Sequence, residues 1–314
     1  MANDMSILLK VAELYYLDRM NQNDIARIIG VSRPSISRML EEAREKGIVK
    51  ITIEAPFERN NLLMNQLKEK FDLNEIVVVK GIGDYTHDND NIGRASADYL
   101  SNIISDSKLL GISWGVTVQH MVKHFPAMEE LKNVQVVQLT GSLGPNGTVM
   151  DGNELVFRLA QKLNARHEFF NAPAFVGSEP LQKELLQQPQ IMMNLGLGRK
   201  MDIAYSGIGN IEATRNTLVS SGILDNQDLN DLIAAGAVGT MIGRAFNIEG
   251  KEIKYRNQFP ISSSLDSLRS APLSIGAACS KNRAKATLGA INGNLINVLI
   301  CDEALALELL ELVK

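Results

Sequence analysis

The chain has 314 residues, 45% of them apolar and 22% charged, with a net charge of −4. That is the make-up of a globular protein of roughly two domains, and it excludes a disordered or fibrous chain. The small negative charge also excludes nonspecific polyanion binding over the whole surface, so any nucleic-acid site must be local.

The first residues, MANDMSILLK, carry acid early and no long apolar run. They do not read as a signal peptide. No stretch reaches the ~18 uninterrupted apolar residues of a membrane span, so the expected setting is cytoplasmic, without membrane contact. Residues 5–19 then place Ile7, Leu8, Val11, Ala12, Leu14 and Tyr15 at helical spacing. In NQNDIARIIG, Asn21 or Asn23 can cap a second helix and Asp24 suits its first turn. Ile25, Ala26 and Ile29 form its inward stripe, and Gly30 ends it.

A third helix starts at VSRPSISRML. Ser32 is a good N-cap, and Pro34 falls in the first turn, where a missing N–H costs nothing. Ile36, Met39, Leu40 and Ala43 face inward by their spacing. Pro34, Ser37, Arg38 and Glu41 face outward, with Arg33 near the rim and Gly47 as terminator. IVKITIE then reads as a short strand.

Helix, short helix, tight turn, helix is the anatomy of a helix-turn-helix, whose second motif helix enters the DNA major groove by its N-terminal end. Arg there pairs with base acceptors, and Ser hydroxyls bind phosphates. Residues 1–55 hold eight Lys+Arg and eight Asp+Glu, yet Arg27 to Arg38 brings three arginines and no acid. The candidate DNA-contacting residues are Gln22, Ser32, Arg33, Pro34, Ser35, Ser37 and Arg38. Expected domains are 1–55, an all-α DNA-binding domain, and 56–314, an effector-binding and oligomerisation domain.

Pro56 marks the boundary, and NLLMNQLKEKF reads as an amphipathic helix that either self-associates or packs on its own domain. From residue 76, apolar strands alternate with helices. IVVVK, LLGISW, VQVVQLTG, MDIAYSGIG, SIGAAC and NVLICDE read as strands, while 92–104, 116–125 and 153–164 read as helices. The alternation predicts an α/β domain with a mainly parallel sheet. Ligands bind such sheets at the carboxyl ends of strands. Four ends carry Gly, Ser or Thr: 111–117, 140–144, 206–209 and 278–283, the last with cations. Glycines, helix-start N–H groups and hydroxyls there form a phosphate cradle. Gly81-Ile82-Gly83-Asp84 looks like part of a dinucleotide fingerprint but lacks the third glycine and, by this reading, a following helix, so it is discounted.

QNDIARIIGVSRPSISRMLEEAREKGIVKI resembles the N-terminal domain of SorC/DeoR-type bacterial transcriptional regulators. GISWGVTV, VVQLTGSLG, DIAYSGIG, AVGTMIGRAFNIEG and AKATLGAINGNLINVLICDEALALELL, in that order, resemble the family's effector domain. The resemblance implies a sheet like that of sugar-phosphate isomerases and a DNA-binding regulator of a carbohydrate-utilisation operon, controlled by a bound sugar or polyol phosphate. It also implies tetramers, as dimers of dimers, on double-stranded pseudo-palindromic operators.

The candidate effector-binding residues are Ser113, Gly115, Thr117, Thr140, Gly141, Ser142, Leu143, Gly144, Gly207, Thr240, Lys281 and Arg283. Some relatives carry a lysine or arginine where this chain has Thr140, so a Schiff base there is not expected. Thr240 replaces an acid, Cys279-Ser280 replaces Gly-Gly, and Arg283 stands for a lysine.

The alternative is a sugar-phosphate isomerase or deaminase fused to a binding module. Asp84, Asp151 and Glu179 are loop acids outside any acid/base constellation, so no enzyme, cofactor or metal is expected. A third reading gives the N-terminal helices to dimerisation. His87, His120, His124 and His167 read as isolated, and Cys279 and Cys301 as buried thiols.

Overall fold

The computed structural model of the chain describes residues 2–49, 57–128, 130–144, 151–169, 171–211 and 216–314. The chain divides into two compact units, 1–56 and 57–314.

The first unit is helical. α1 (Ala2–Ala12) runs into a π-helical turn, Glu13–Leu17, then α2 (Gln22–Ile29) and α3 (Arg33–Glu45) follow. The single helix expected over 5–19 is therefore interrupted. The wider turn lets the consecutive Leu14, Tyr15 and Tyr16 all pack against one core with Val11, Ile25, Ile36 and Leu40. Asn21 caps α2 by accepting from Asn23 N and Asp24 N, and left-handed Gly30 closes it. Ser32 caps α3 through Ser35 N, with the proline in the first turn. The strand expected over 48–54 lies, from Lys50 on, outside the described residues, as does Pro56.

The second unit begins with α4 (Asn61–Lys70), β1 (Glu75–Val79), α5 (Tyr85–Ile103), β2 (Leu109–Ile112), α6 (Val116–His124) and β3 (Gln135–Gln138). Next come α7 (Gly152–Lys162), β4 (Arg166–Glu168), β5 (Phe175–Val176), α8 (Glu179–Leu186), α9 (Pro189–Gly198), β6 (Ile203–Gly207) and β7 (Gly209–Asn210). α10 (Thr217–Ser220), α11 (Asn226–Ala234), β8 (Ala237–Met241), β9 (Arg244–Asn247), β10 (Glu252–Ile253) and β11 (Phe259–Pro260) follow. The chain ends with α12 (Leu265–Ser270), β12 (Leu273–Ala278), a 3₁₀ turn Lys281–Arg283, α13 (Ala284–Asn292), β13 (Val298–Asp302) and α14 (Glu303–Leu312).

Seven strands form a parallel sheet in the order β1-β13-β12-β6-β2-β3-β4. Except at the edge strand β4, the strands feed both faces. Ile76 and Val78 pack into one core with residues of α4, α12, α13 and α14. Val77 and Val79 pack into another with residues of α5, α6 and α7. Helices on both faces explain the uninterrupted apolar run IVVV. α4 docks on its own unit through Leu63 and Leu67.

Three features differ from expectation. α5 starts at Tyr85, capped by Asp84, rather than at 92. Its first two turns are polar because Asp88 and Asn89 are buried as hydrogen-bonding anchors. A helix therefore does follow the Gly81-Ile82-Gly83 turn. Beside the parallel sheet stands a four-stranded antiparallel sheet, β10-β9-β8-β7. Its β8–β9 hairpin turns on Ile242 (φ 47°) and Gly243 (φ 75°), the two positive φ angles of a type I′ turn. This sheet presses on α13 through glycines. A Cβ on Gly239 would lie 2.6 Å from Ala286 Cβ, and one on Gly289 would lie 2.8 Å from Asn247 O.

Candidate functional site

Strand order locates the cavity. From β2 the chain steps outward to β3 and β4, and from β6 it steps the other way to β12 and β13. β2 and β6 are neighbours at the reversal, where an open α/β sheet leaves a crevice beyond its carboxyl ends. A cavity of about 360 Å³ lies there. Its floor is the pair Ser113 and Ser206, both buried, with hydroxyls 3.1 Å apart.

The cavity walls come from several elements. The first turn of α6 contributes Gly115 to Val118. Gly115 adopts φ 124° and offers no side-chain cap, so the helix starts with its backbone N–H groups unclaimed by a cap. Thr117 donates its hydroxyl to Asn89 Oδ1 at 3.1 Å. The buried Asn89 Nδ2 and the Trp114 indole N–H have no hydrogen-bond partner among the described residues. Opposite lie Thr240 and the strained Ile242 of the hairpin turn, with Asn216, Thr217 and Ser220 of α10 and its cap.

Arg283 is the one charged side chain among the described lining residues. It donates to Cys279 O at 2.5 Å and to Tyr85 Oη at 3.1 Å, with its guanidinium 5.3 Å from the Tyr85 ring centre. Both contacts fix the fork at the cavity edge. Ser280, two residues after β12, holds φ 87°, a left-handed conformation costly for a residue with a Cβ. Its N–H donates to Asp302 at 2.9 Å, which also caps α14 through Leu305 N. Burial pushes the Asp302 carboxyl up despite these bonds. Burial, with the Asp302 charge adding to it, pushes the Cys279 thiol well above the usual thiol range, which disfavours its thiolate form.

Of the residues expected to bind an effector, Ser113, Gly115, Thr117, Gly207, Thr240 and Arg283 line this one cavity. Thr140 and Gly141 do not. Thr140 is buried and bridges to Ser262, and Gly141 packs so closely on Pro173 that a Cβ would lie 2.4 Å from its carbonyl oxygen. Ser142, Leu143 and Gly144 line a separate, more open concavity of about 440 Å³. There Asp151 accepts from Ser142 Oγ and Leu143 N, both at 2.8 Å. Lys281 is exposed on the 3₁₀ turn and does not line the cavity.

Tyr85, Asn210, Asn216, Thr217, Ser220 and Ile242 line it without having been expected. Asn210 and Tyr85 directly follow loops singled out in the sequence, at 206–209 and 81–84, whereas only the tertiary fold brings in Asn216, Thr217, Ser220 and Ile242. The Gly81–Gly83 turn is already filled. Ile82 N and Gly83 N donate to the Asp88 carboxylate at 2.9 Å each, where a nucleotide-binding turn would hold a phosphate.

In the first unit, Ser32, Arg33, Pro34, Ser37 and Arg38 are exposed at the start of α3, and Ser35 and Gln22 are half-buried. The histidines are not all isolated. His120 and His124 both meet Asp90.

Residues 55–311 match the family model described as "Putative sugar-binding domain". The chain is 29% identical over 310 residues to the sorbitol operon regulator of Klebsiella pneumoniae, covering 97% of this chain and 98% of that protein. It is 30% identical over 303 residues to the transcriptional regulator YjhU of Escherichia coli K12, itself uncharacterised, covering 93% and 90%. It is 28% identical to the deoxyribonucleoside regulator of Bacillus subtilis, covering 94% of each. The crystal structure of the full-length sorbitol operon regulator SorC superimposes with a TM-score of 0.73 at 28% identity, over 98% of this chain and 99% of that one.

Proposed function

The chain belongs to the SorC/DeoR family of transcriptional regulators, and on that premise we propose that it binds operator DNA through α3 under the control of a phosphorylated sugar or polyol held in the β2/β6 cavity. The observation that carries the effector half is the cavity itself. One cation, a ring of hydroxyls and amides, and an uncapped helix start converge at the sheet's switch point. An anion gains from the helix start and from the Arg283 fork, while Ser, Thr and Asn groups suit sugar hydroxyls.

The DNA half rests on α3. Its apolar residues Ile36, Leu40 and Ala43 are buried, which leaves Arg33, Ser37 and Arg38 outward at its N-terminal end. Two-fold pairing of subunits would set two such helices one or more DNA turns apart. The tetramer and the cytoplasmic setting are part of this reading. Among the described residues no helix is long and apolar enough to cross a membrane.

The enzyme alternative requires a proton-transferring group at the ligand. The described lining residues include no carboxylate and no imidazole, which favours binding over turnover. By linkage, an effector that weakens DNA binding must itself bind less tightly to the DNA-bound form. The test is a gel shift on upstream DNA at fixed moderate salt, with and without hexose and hexitol phosphates. A salt-dependent complex whose affinity changes with one sugar phosphate is expected. A folded protein that shifts no upstream fragment refutes the reading.

A further inference from the structure

α5 and α6 cross at Gly93. A Cβ there would lie 2.3 Å from His120 Cβ and 2.7 Å from the His120 carbonyl carbon, so only glycine lets the helices approach this closely. The crossing brings Asp90, one turn before Gly93, onto the face of α6 that carries His120 and His124. Those two histidines stand four residues apart, on one face of the helix. Asp90 Oδ1 lies 2.9 Å from His120 Nδ1 and 2.8 Å from His124 Nε2. Arg94 holds the other oxygen, Oδ2, at 3.1 Å. We propose that Asp90, His120 and His124 bind one divalent transition-metal ion of the zinc, cobalt or nickel class.

The donor set is the one these ions choose, two imidazoles and one carboxylate with room for further ligands. The three atoms lie within 4.8 Å of one another. Metal–ligand bonds of about 2.0–2.2 Å put ligand atoms roughly 3.4 Å apart. The present Asp90–His separations need open by only about half an ångström.

Arg94 acts as a supporting group that orients the carboxylate, so Oδ1 alone would coordinate. The side chains of His120 and His124 are 17% and 9% exposed and that of Asp90 is 21%, a shielded site rather than a surface cluster.

A cation already sits there. Lys123 Nζ is 2.8 Å from the same Asp90 oxygen. Its side chain is 60% exposed and long enough to swing into solvent. The metal would displace this ammonium, and Lys123 is both the present occupant and the entry path.

The experiment is a Co²⁺ titration of metal-stripped, tag-free full-length protein, read by visible absorption, with Zn²⁺ as competitor. One equivalent of Co²⁺ per chain is expected, released by Zn²⁺, with a rise in melting temperature. His120→Gln/His124→Gln abolishes the band. Lys123→Met keeps all three ligands and removes a like charge a few ångströms away, so it binds roughly tenfold or more tightly. Folded wild-type protein that binds no Co²⁺ at about 1 mM overturns the proposal. So does a band that survives in the double histidine variant, or an affinity that Lys123→Met leaves unchanged.

Discussion

Arg283→Ala isolates the charge in the β2/β6 cavity, and the protein carries its own reporter for it. Trp114 is the only tryptophan of the chain, lines the cavity and has an indole N–H without a hydrogen-bond partner among the described residues. Its emission should change saturably as a sugar phosphate enters. A hydrogen bond between charged groups contributes about 1.5–3 kcal/mol, which corresponds to a loss of roughly 10- to 150-fold in Kd on truncation. The variant also leaves Cys279 O without its 2.5 Å donor. That should cost the ligand-free protein about 1–3 kcal/mol of stability, read separately by melting. Arg283→Lys keeps the charge but not the fork and should fall between the two. The unphosphorylated sugar should bind wild type and variant alike. If Arg283→Ala binds the phosphorylated ligand as wild type does, the anion is not held there and the phosphate assignment fails.

Arg38→Ala should weaken operator binding by about 1–3 kcal/mol while leaving Trp114 titrations unchanged, and an unaltered gel shift would sink the groove assignment. Ser32→Ala removes the acceptor for Ser35 N and should cost the first unit about 1 kcal/mol in melting experiments. Gly93→Ala forces α5 and α6 apart. Overpacking of about 1–3 kcal/mol should exceed the helix-propensity gain and lower Tm by roughly 2–8 °C; a raised Tm would show that the crossing tolerates a methyl group.

The first unit was legible because its signals are local. A cap, a first-turn proline and a terminating glycine act within a few residues of the helix they delimit, so Asn21, Ser32, Gly30 and the inward set of α3 could be read directly. The α5 start could not. Asp88 and Asn89 look like solvent-exposed helix breakers until their partners at Ile82, Gly83 and Thr117 are known.

The cavity was half legible for a related reason. Four strand ends carry Gly, Ser or Thr, and sequence does not reveal strand order. β3 lies one strand beyond the switch point, so the Thr140–Gly144 loop, chemically as suitable as Ser113–Thr117, serves a different concavity. The Asp90 cluster escaped notice because its aspartate and histidines sit on different helices, about thirty residues apart.

The glycine contacts have a mechanical consequence. α5 and α6 on one side of the cavity are locked at Gly93, and α13 with the antiparallel sheet on the other is locked at Gly239 and Gly289. Each side is therefore a stiff jaw, with no slack for a methyl group. A ligand gripped between them cannot be accommodated by easing one helix away from its neighbour. Because β2 and β6 are hydrogen-bonded neighbours in the middle of one continuous sheet, the floor between the jaws is fixed as well, and a small molecule meets a cavity whose shape is set before it arrives.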